Sequence, residues 1–361
     1  MKTDRRPMRF ALLLACLAAL LAGCASMGPP TIARDRFDYV SAVSESWKQQ
    51  LLLNLLKVRY FDAPVFMDVA SVINSYSVEG EVTFADQAAP VDRAGDSFRA
   101  FGATGRYADR PTISYNPLSG DKFARNLMTP LPVTGVLMLV QGGYAADVVM
   151  RICVSTINGL ENAYGGSGNA RGGDPKFRDF LAALRESQLA GGMGMRVRSI
   201  KDTQAVVMFV QPDPNNAVNA PIGRIRELLR LDPAVNEYDI VFGSQAENRR
   251  EIAMLTRSVM QVLMDFASYI DVPEADLAEG RAYRPQRSAE QERLFPPILR
   301  VRHGDNAPPD AYVSVRYRGR WFWVEDRDYQ SKAMFTSVLF LLSLTETGQA
   351  QSGPVVTIPA R

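Results

Sequence analysis

The chain has 361 residues, with 41 Lys and Arg against 39 Asp and Glu, one histidine and three cysteines. Four basic residues (Lys2, Arg5, Arg6, Arg9) and one acidic residue (Asp4) fall in the first 23 positions, so the body beyond them carries 37 basic and 38 acidic groups. A body this close to neutral lacks the basic field of nucleic-acid binding. Its two cysteines and one histidine are too few for a four-ligand Cys/His zinc centre.

The first segment reads as a secretory leader. A positive start is followed by an unbroken apolar run, Phe10 to Ala22, of 13 residues. A membrane span needs about 20, whereas a signal-peptide core needs 7–15. The run ends in Leu21-Ala22-Gly23-Cys24, which resembles the lipobox of bacterial lipoproteins. The chemistry asks for these residue types: a thiol to take a lipid, and small residues before it to admit the peptidase. Cys16 also follows Leu-Leu-Ala, but its use would shorten the apolar run to six residues. The resemblance implies two or three acyl chains on Cys24, each buried CH₂ contributing about 0.8 kcal/mol. It also implies an envelope location, with Ala25 rather than Asp after the cysteine favouring the periplasmic face of the outer membrane. The expected organisation is a signal peptide (1–23), a lipidated tether (24–36), an N-terminal α+β region (37–164), a Gly-rich loop (165–173) and a C-terminal α+β region (174–361).

Past the tether, Val40, Val43, Trp47, Leu51, Leu55 and Val58 recur at spacings of three and four, predicting a helix over 37–60. Residues 64–84 are rich in β-branched and aromatic side chains and predict one or two strands, followed by polar loop at 85–97. A strand is expected at 111–116 and a short helix at 119–129, closed by Pro130 and Pro132. Asp109 and Arg110 in this stretch are candidates for lining a cleft. A longer helix is expected over 143–163, with Asp147 and Arg151 as an i,i+4 pair and Cys153 buried within it. Gly165 to Gly173 reads as a mobile linker.

In the second half, the pattern predicts a helix at 175–190 and strands at 194–200 and 204–211. A loop from Pro212 to Pro221, a helix to Leu231 and a strand at 238–242 follow. A long helix is expected from 246 to 270, an irregular surface segment from Pro273 to Pro297, and strands at 298–302, 312–317 and 320–324. A helix at 328–345 and a strand at 354–358 close the chain. Met334 to Leu344 is only half a membrane span and reads as a buried core helix. The mixture with hairpins predicts an α+β fold with mixed or antiparallel sheets, in two subdomains.

No nucleophile-elbow, metalloprotease or phosphate-loop motif occurs. His303 could act as a base with Asp305, but the sequence offers it no partnered nucleophile. The most unusual segment is Tyr312 to Asp328, where Arg316, Arg318 and Arg320 interleave with Trp321 and Trp323. Arginine pairs two-pronged with carboxylates and phosphates, and aromatics stack on sugars. The plainer alternative puts the aromatics in the core and leaves the arginines solvated or paired with Glu325, Asp326 and Asp328, with Asp326 or Asp328 capping the next helix.

The segments YADRPTISYNPLSGDKF and VRYRGRWFWVEDRD resemble parts of an envelope lipoprotein family that brings no activity, cofactor or catalytic residue with it. The expectation is a non-enzymatic, membrane-anchored structural or binding protein with no cofactor. It would be held to the membrane through the acyl chains on Cys24 and would bind an envelope protein or peptidoglycan. The alternatives are a carboxylate-dependent enzyme acting on the cell wall or its glycans, and a transport or assembly accessory.

Overall fold

In the computed structural model the described residues are 29–73, 76–87, 98–109, 112–118, 121–166, 170–200, 203–210, 219–285, 288–345 and 356–359. Cys24 and the leader lie outside them, as do Arg110 and the Lys201-Asp202 turn. The fold is α+β, as expected. It divides into two units, one of residues 1–64 with 127–345, the other of residues 65–126 with 346–361. This division does not coincide with the expected boundary at 165–173.

In the larger unit, helix α1 (Pro29–Arg59) opens the described chain. It starts eight residues before the expected helix, so residues 29–36 are helical rather than part of an extended tether. Its Leu51, Leu52, Leu55 and Leu56 are buried, and α1 packs on the strand Ala311–Tyr317 and the helix Val259–Ala267.

The smaller unit has a three-stranded antiparallel sheet in which β4 (Thr112–Leu118) lies between β1 (Phe66–Ile73) and β14 (Val356–Pro359). A hairpin of β2 (Tyr76–Gln87) and β3 (Phe98–Asp109) pairs in register from Tyr76 with Asp109 to Gln87 with Phe98. Strand β3 lies where no regular element was expected, because its five small residues (Ala100, Gly102, Ala103, Gly105, Ala108) mute the alternation that marks a strand. Helix α2 (Asp121–Met128) follows β4.

The centre of the larger unit is a six-stranded mixed sheet of order β6-β5-β10-β9-β8-β7. Its strands are β5 (Val154–Ile157), β6 (Leu160–Glu161), β7 (Met193–Ile200), β8 (Thr203–Val210), β9 (Glu237–Phe242) and β10 (Glu251–Thr256). Only β9 and β10 run parallel. Two of these strands correct the sequence reading. The helix expected over 143–163 stops at Cys153: α4 spans Ala146–Cys153 and the β-branched run Val154, Thr156, Ile157 becomes β5. The helix expected over 246–270 is strand β10 followed by α7 (Val259–Ala267), which starts at a capping box formed by Ser258 and Gln261. Asp147 does not pair with Arg151; it lies 3.8 Å from Arg185.

Helix α3 (Val133–Gln141) fills the segment after Pro132 that had no assigned element. Helices α5 (Pro175–Leu189) and α6 (Asn219–Leu228) pack together, and α5 also packs on α4. The segment from Pro273 to Pro297 contains two short helices, α8 (Glu274–Ala278) and α9 (Ala289–Leu294). The described part of the Gly-rich loop is closely packed at Gly173. A Cβ on Gly173 would meet the Phe295 ring and come within 2.8 Å of the Ala163 nitrogen, a backbone atom that cannot yield.

A second, three-stranded antiparallel sheet has the order β11-β13-β12, from β11 (Arg302–Gly304), β12 (Ala311–Tyr317) and β13 (Arg320–Glu325). The strand expected at 298–302 is thus shifted to 302–304. Helix α10 (Tyr329–Thr345) packs on β13. Its Phe335, Val338 and Leu341 are buried while Phe340 is 41% exposed, so it is buried along one face only. No helix among the described residues is long and apolar enough to cross a membrane.

Candidate functional site

The interleaved segment forms the β12–β13 hairpin, closed by Arg318 and Gly319 with φ of 48° and 84°. Two consecutive left-handed residues are the signature of a type I′ turn, and Gly319 supplies the one where a side chain is least tolerated. Because strand side chains alternate, the register sorts the candidates. Phe322, Val324 and Val313 point into the core, at 1% exposure or less. Trp321 and Trp323 share the opposite face. Trp321 stands between Arg316 on β12 and Gly304 on β11; Trp323 stands between Ser314 and Arg302.

Of the five sequence candidates, Arg316, Trp321 and Trp323 therefore come together. Arg316 is exposed and makes no ion pair among the described residues. Trp321 and Trp323 are half-buried, and the Nε1 of Trp323 is buried without a hydrogen-bond partner among the described residues. The Trp323 ring lies close against Gly304: a Cβ there would sit 3.1 Å from it.

Arg318 and Arg320 are occupied elsewhere, and not by the acids expected. Arg318 donates to Asp62 at 3.1 Å and lies over the Tyr60 ring at 4.8 Å. Tyr317 donates to the same carboxylate. These two hydrogen bonds hold the Asp62 carboxyl below its ordinary range. Arg320 pairs with Asp305 at 3.1 Å. Glu325 pairs with Arg302 at 3.2 Å, and Asp326 with Lys332 at 2.7 Å. Asp328 accepts from the Ser331 backbone N–H at 3.1 Å, capping α10 as the sequence suggested.

His303 sits on the inner side of β11, opposite Phe322, with its Nε2 3.7 Å from Asp271. Asp305, its expected partner, is engaged by Arg320, so the proposed base pair is not assembled. Acidic side chains do gather in a cleft of about 240 Å³ lined by Asp310, Glu325 and Asp326. Each is already in an ion pair, with Arg327, Arg302 and Lys332.

The sequence does not reveal a buried polar group that forms among the described residues. Arg257 at the end of β10 donates to Asp265 on α7 at 3.0 Å and to the Ala163 carbonyl at 2.6 Å. Arg151 on α4 reaches the same carboxylate at 3.5 Å and donates to the Tyr269 hydroxyl at 2.7 Å. The Gly165 N–H donates to the other oxygen of Asp265 at 2.7 Å. Burial pushes the Arg257 guanidinium below its ordinary range, and Asp265 opposes that shift. The group is sealed from solvent and ties β10, α4, α7 and the Gly-rich loop together. It is suited to holding the fold rather than to meeting a substrate.

Comparison with protein-family models gives no match to the chain, and comparison with curated proteins and with solved structures gives none either.

Proposed function

We propose that the chain is a lipid-anchored envelope protein, held by acyl chains on Cys24 at the periplasmic face of the outer membrane, whose body binds the cell-wall polymer without chemical turnover. The anchoring rests on the leader and its Leu-Ala-Gly-Cys ending. The binding rests on one observation, the placement of Arg316 beside Trp321 on the outer face of the β11-β13-β12 sheet. The tryptophans offer ring faces for sugar stacking. Arg316, uncommitted among the described residues, offers a cation to the carboxylates of an acidic glycan–peptide.

Anchoring is tested by replacing Cys24 with serine. The expected result is an unprocessed precursor or release of the body from membranes; processing and sedimentation as before would overturn it. Binding is tested by sedimenting the mature protein with purified cell-wall sacculi. Trp321→Ala and Arg316→Ala should each weaken recovery roughly tenfold, the effect of about 1.4 kcal/mol. Unchanged recovery rejects the cell-wall reading. If the same substitutions instead abolish a specific crosslink to an envelope protein, the face belongs to that protein.

A further inference from the structure

Helix α1 changes character along its length. Leu51, Leu52, Leu55 and Leu56 are at most 1% exposed, whereas Phe37, Val40 and Trp47 on the same helix are 73, 59 and 48% exposed. Spacings of three and seven residues put these three on one side, over about 15 Å at 1.5 Å per residue. A lone exposed apolar side chain is ordinary, but an aligned group marks an interaction site. Trp47 adds an amphipathic ring of the kind that settles at membrane–water boundaries.

The chain itself says what lies beside this stripe. Helix α1 begins at Pro29, five residues after Cys24. A lipid on Cys24 would hold the first turn within about 17 Å of the bilayer surface, at some 3.4 Å per extended residue. From Arg34 to Lys48 the helix carries three basic residues (Arg34, Arg36, Lys48) and three acidic (Asp35, Asp38, Glu45). A helix so balanced gains nothing from anionic head groups and engages lipid through its apolar stripe. We infer that Phe37, Val40 and Trp47 insert into the interfacial layer of the bilayer that carries the anchor, making α1 a second membrane contact that fixes how the body stands on the surface. The inference rests on the proposed anchoring at Cys24.

The test uses the acylated mature protein in phosphatidylcholine vesicles whose acyl chains carry bromine, a contact quencher of tryptophan emission. The protein has three tryptophans, and the other two, Trp321 and Trp323, lie in the C-terminal sheet. Quenching is expected up to the share of one tryptophan, lost in Trp47→Phe, reduced when Phe37 and Val40 are both replaced by serine, and unaffected by salt. Unquenched Trp47 on protein whose Cys24 is acylated by mass spectrometry overturns this inference and leaves the anchoring intact. An unacylated Cys24 overturns both. Oxidative crosslinking of two copies through Val40→Cys, with Trp47 unquenched, assigns the stripe to a second copy and overturns the lipid contact.

Discussion

The guanidinium of Arg257 lies 3.0 Å from the carboxylate of Asp265, with the two side chains 1 and 0% exposed. Arg151 shares the carboxylate, so two buried cations face one buried anion; the Ala163 carbonyl accepts from both guanidinium groups, while the Arg257 Nε has no partner among the described residues. Removing one member of such a group strands the others in low dielectric, at a cost of about 3–5 kcal/mol. Asp265→Ala should therefore lower the urea midpoint steeply or prevent soluble expression. The double variant Arg257→Met, Asp265→Leu should recover part of that loss, because it removes buried charges together. A single Asp265→Ala protein with wild-type stability would show that the network does not hold the fold.

Cys153 ends α4, next to this network. Burial pushes its thiol up to about 12, with Arg257 a smaller opposing influence. A thiol this protonated is a poor nucleophile, and one at 0% exposure is also out of reach. A thiol reagent should find no free thiol in the native mature protein and one in denaturant. The slow native reaction should follow the rate of unfolding. Prompt labelling in native buffer would show that the helix end opens locally.

What the sequence made legible follows from how locally each feature is encoded. The C-terminal hairpin was readable because alternation and an Arg318-Gly319 turn lie within the fifteen residues from Ala311 to Glu325. The α1 helix was readable from its apolar spacing, and Asp328 as a cap from its position before the helix. Strands β5 and β10 were not, because Val154–Ile157 and Glu251–Thr256 are short apolar runs abutting helices, where periodicity cannot separate the two. The Ser258-x-x-Gln261 capping box was the available signal for the true start of α7. Arg151 meets Arg257 and Asp265 across more than a hundred residues, and nothing local marks a charged residue as buried. The split between Arg316 and its neighbours Arg318 and Arg320 required the positions of Asp62 and Asp305, which no strand pattern contains.

Asp62 gives the molecule an acid-sensitive tie between the end of α1 and the hairpin. Its folded carboxyl titrates below the ordinary value because Tyr317 and Arg318 hydrogen-bond its charged form. The folded state thus binds fewer protons than the unfolded state in mild acid. Its contribution is complete above about pH 4 and disappears as pH falls through the depressed folded value. Asp62→Asn should lower the urea midpoint near neutrality, and the gap between variant and wild type should close in strong acid. Because the pair is exposed, added salt should also narrow the gap. A gap independent of pH would assign the effect to lost packing.

The hairpin arginines allow stability and binding to be separated within five residues. Arg318 is committed to Asp62 and to the Tyr60 ring, so Arg318→Ala should cost about 1 kcal/mol of stability. It should leave cell-wall sedimentation nearly unchanged. Arg316 projects from the Trp321 face and ties to nothing else among the described residues. Arg316→Ala should stay within about 0.5 kcal/mol of wild type in denaturation while losing most of its sedimentation with sacculi. Gly304→Val offers a third arm: its side chain would press on the Trp323 ring, disturbing the face without changing its charge. If Arg318→Ala and Arg316→Ala weakened sedimentation equally, binding would track the hairpin's net positive charge, and the Trp321 face would lose its claim to be the site.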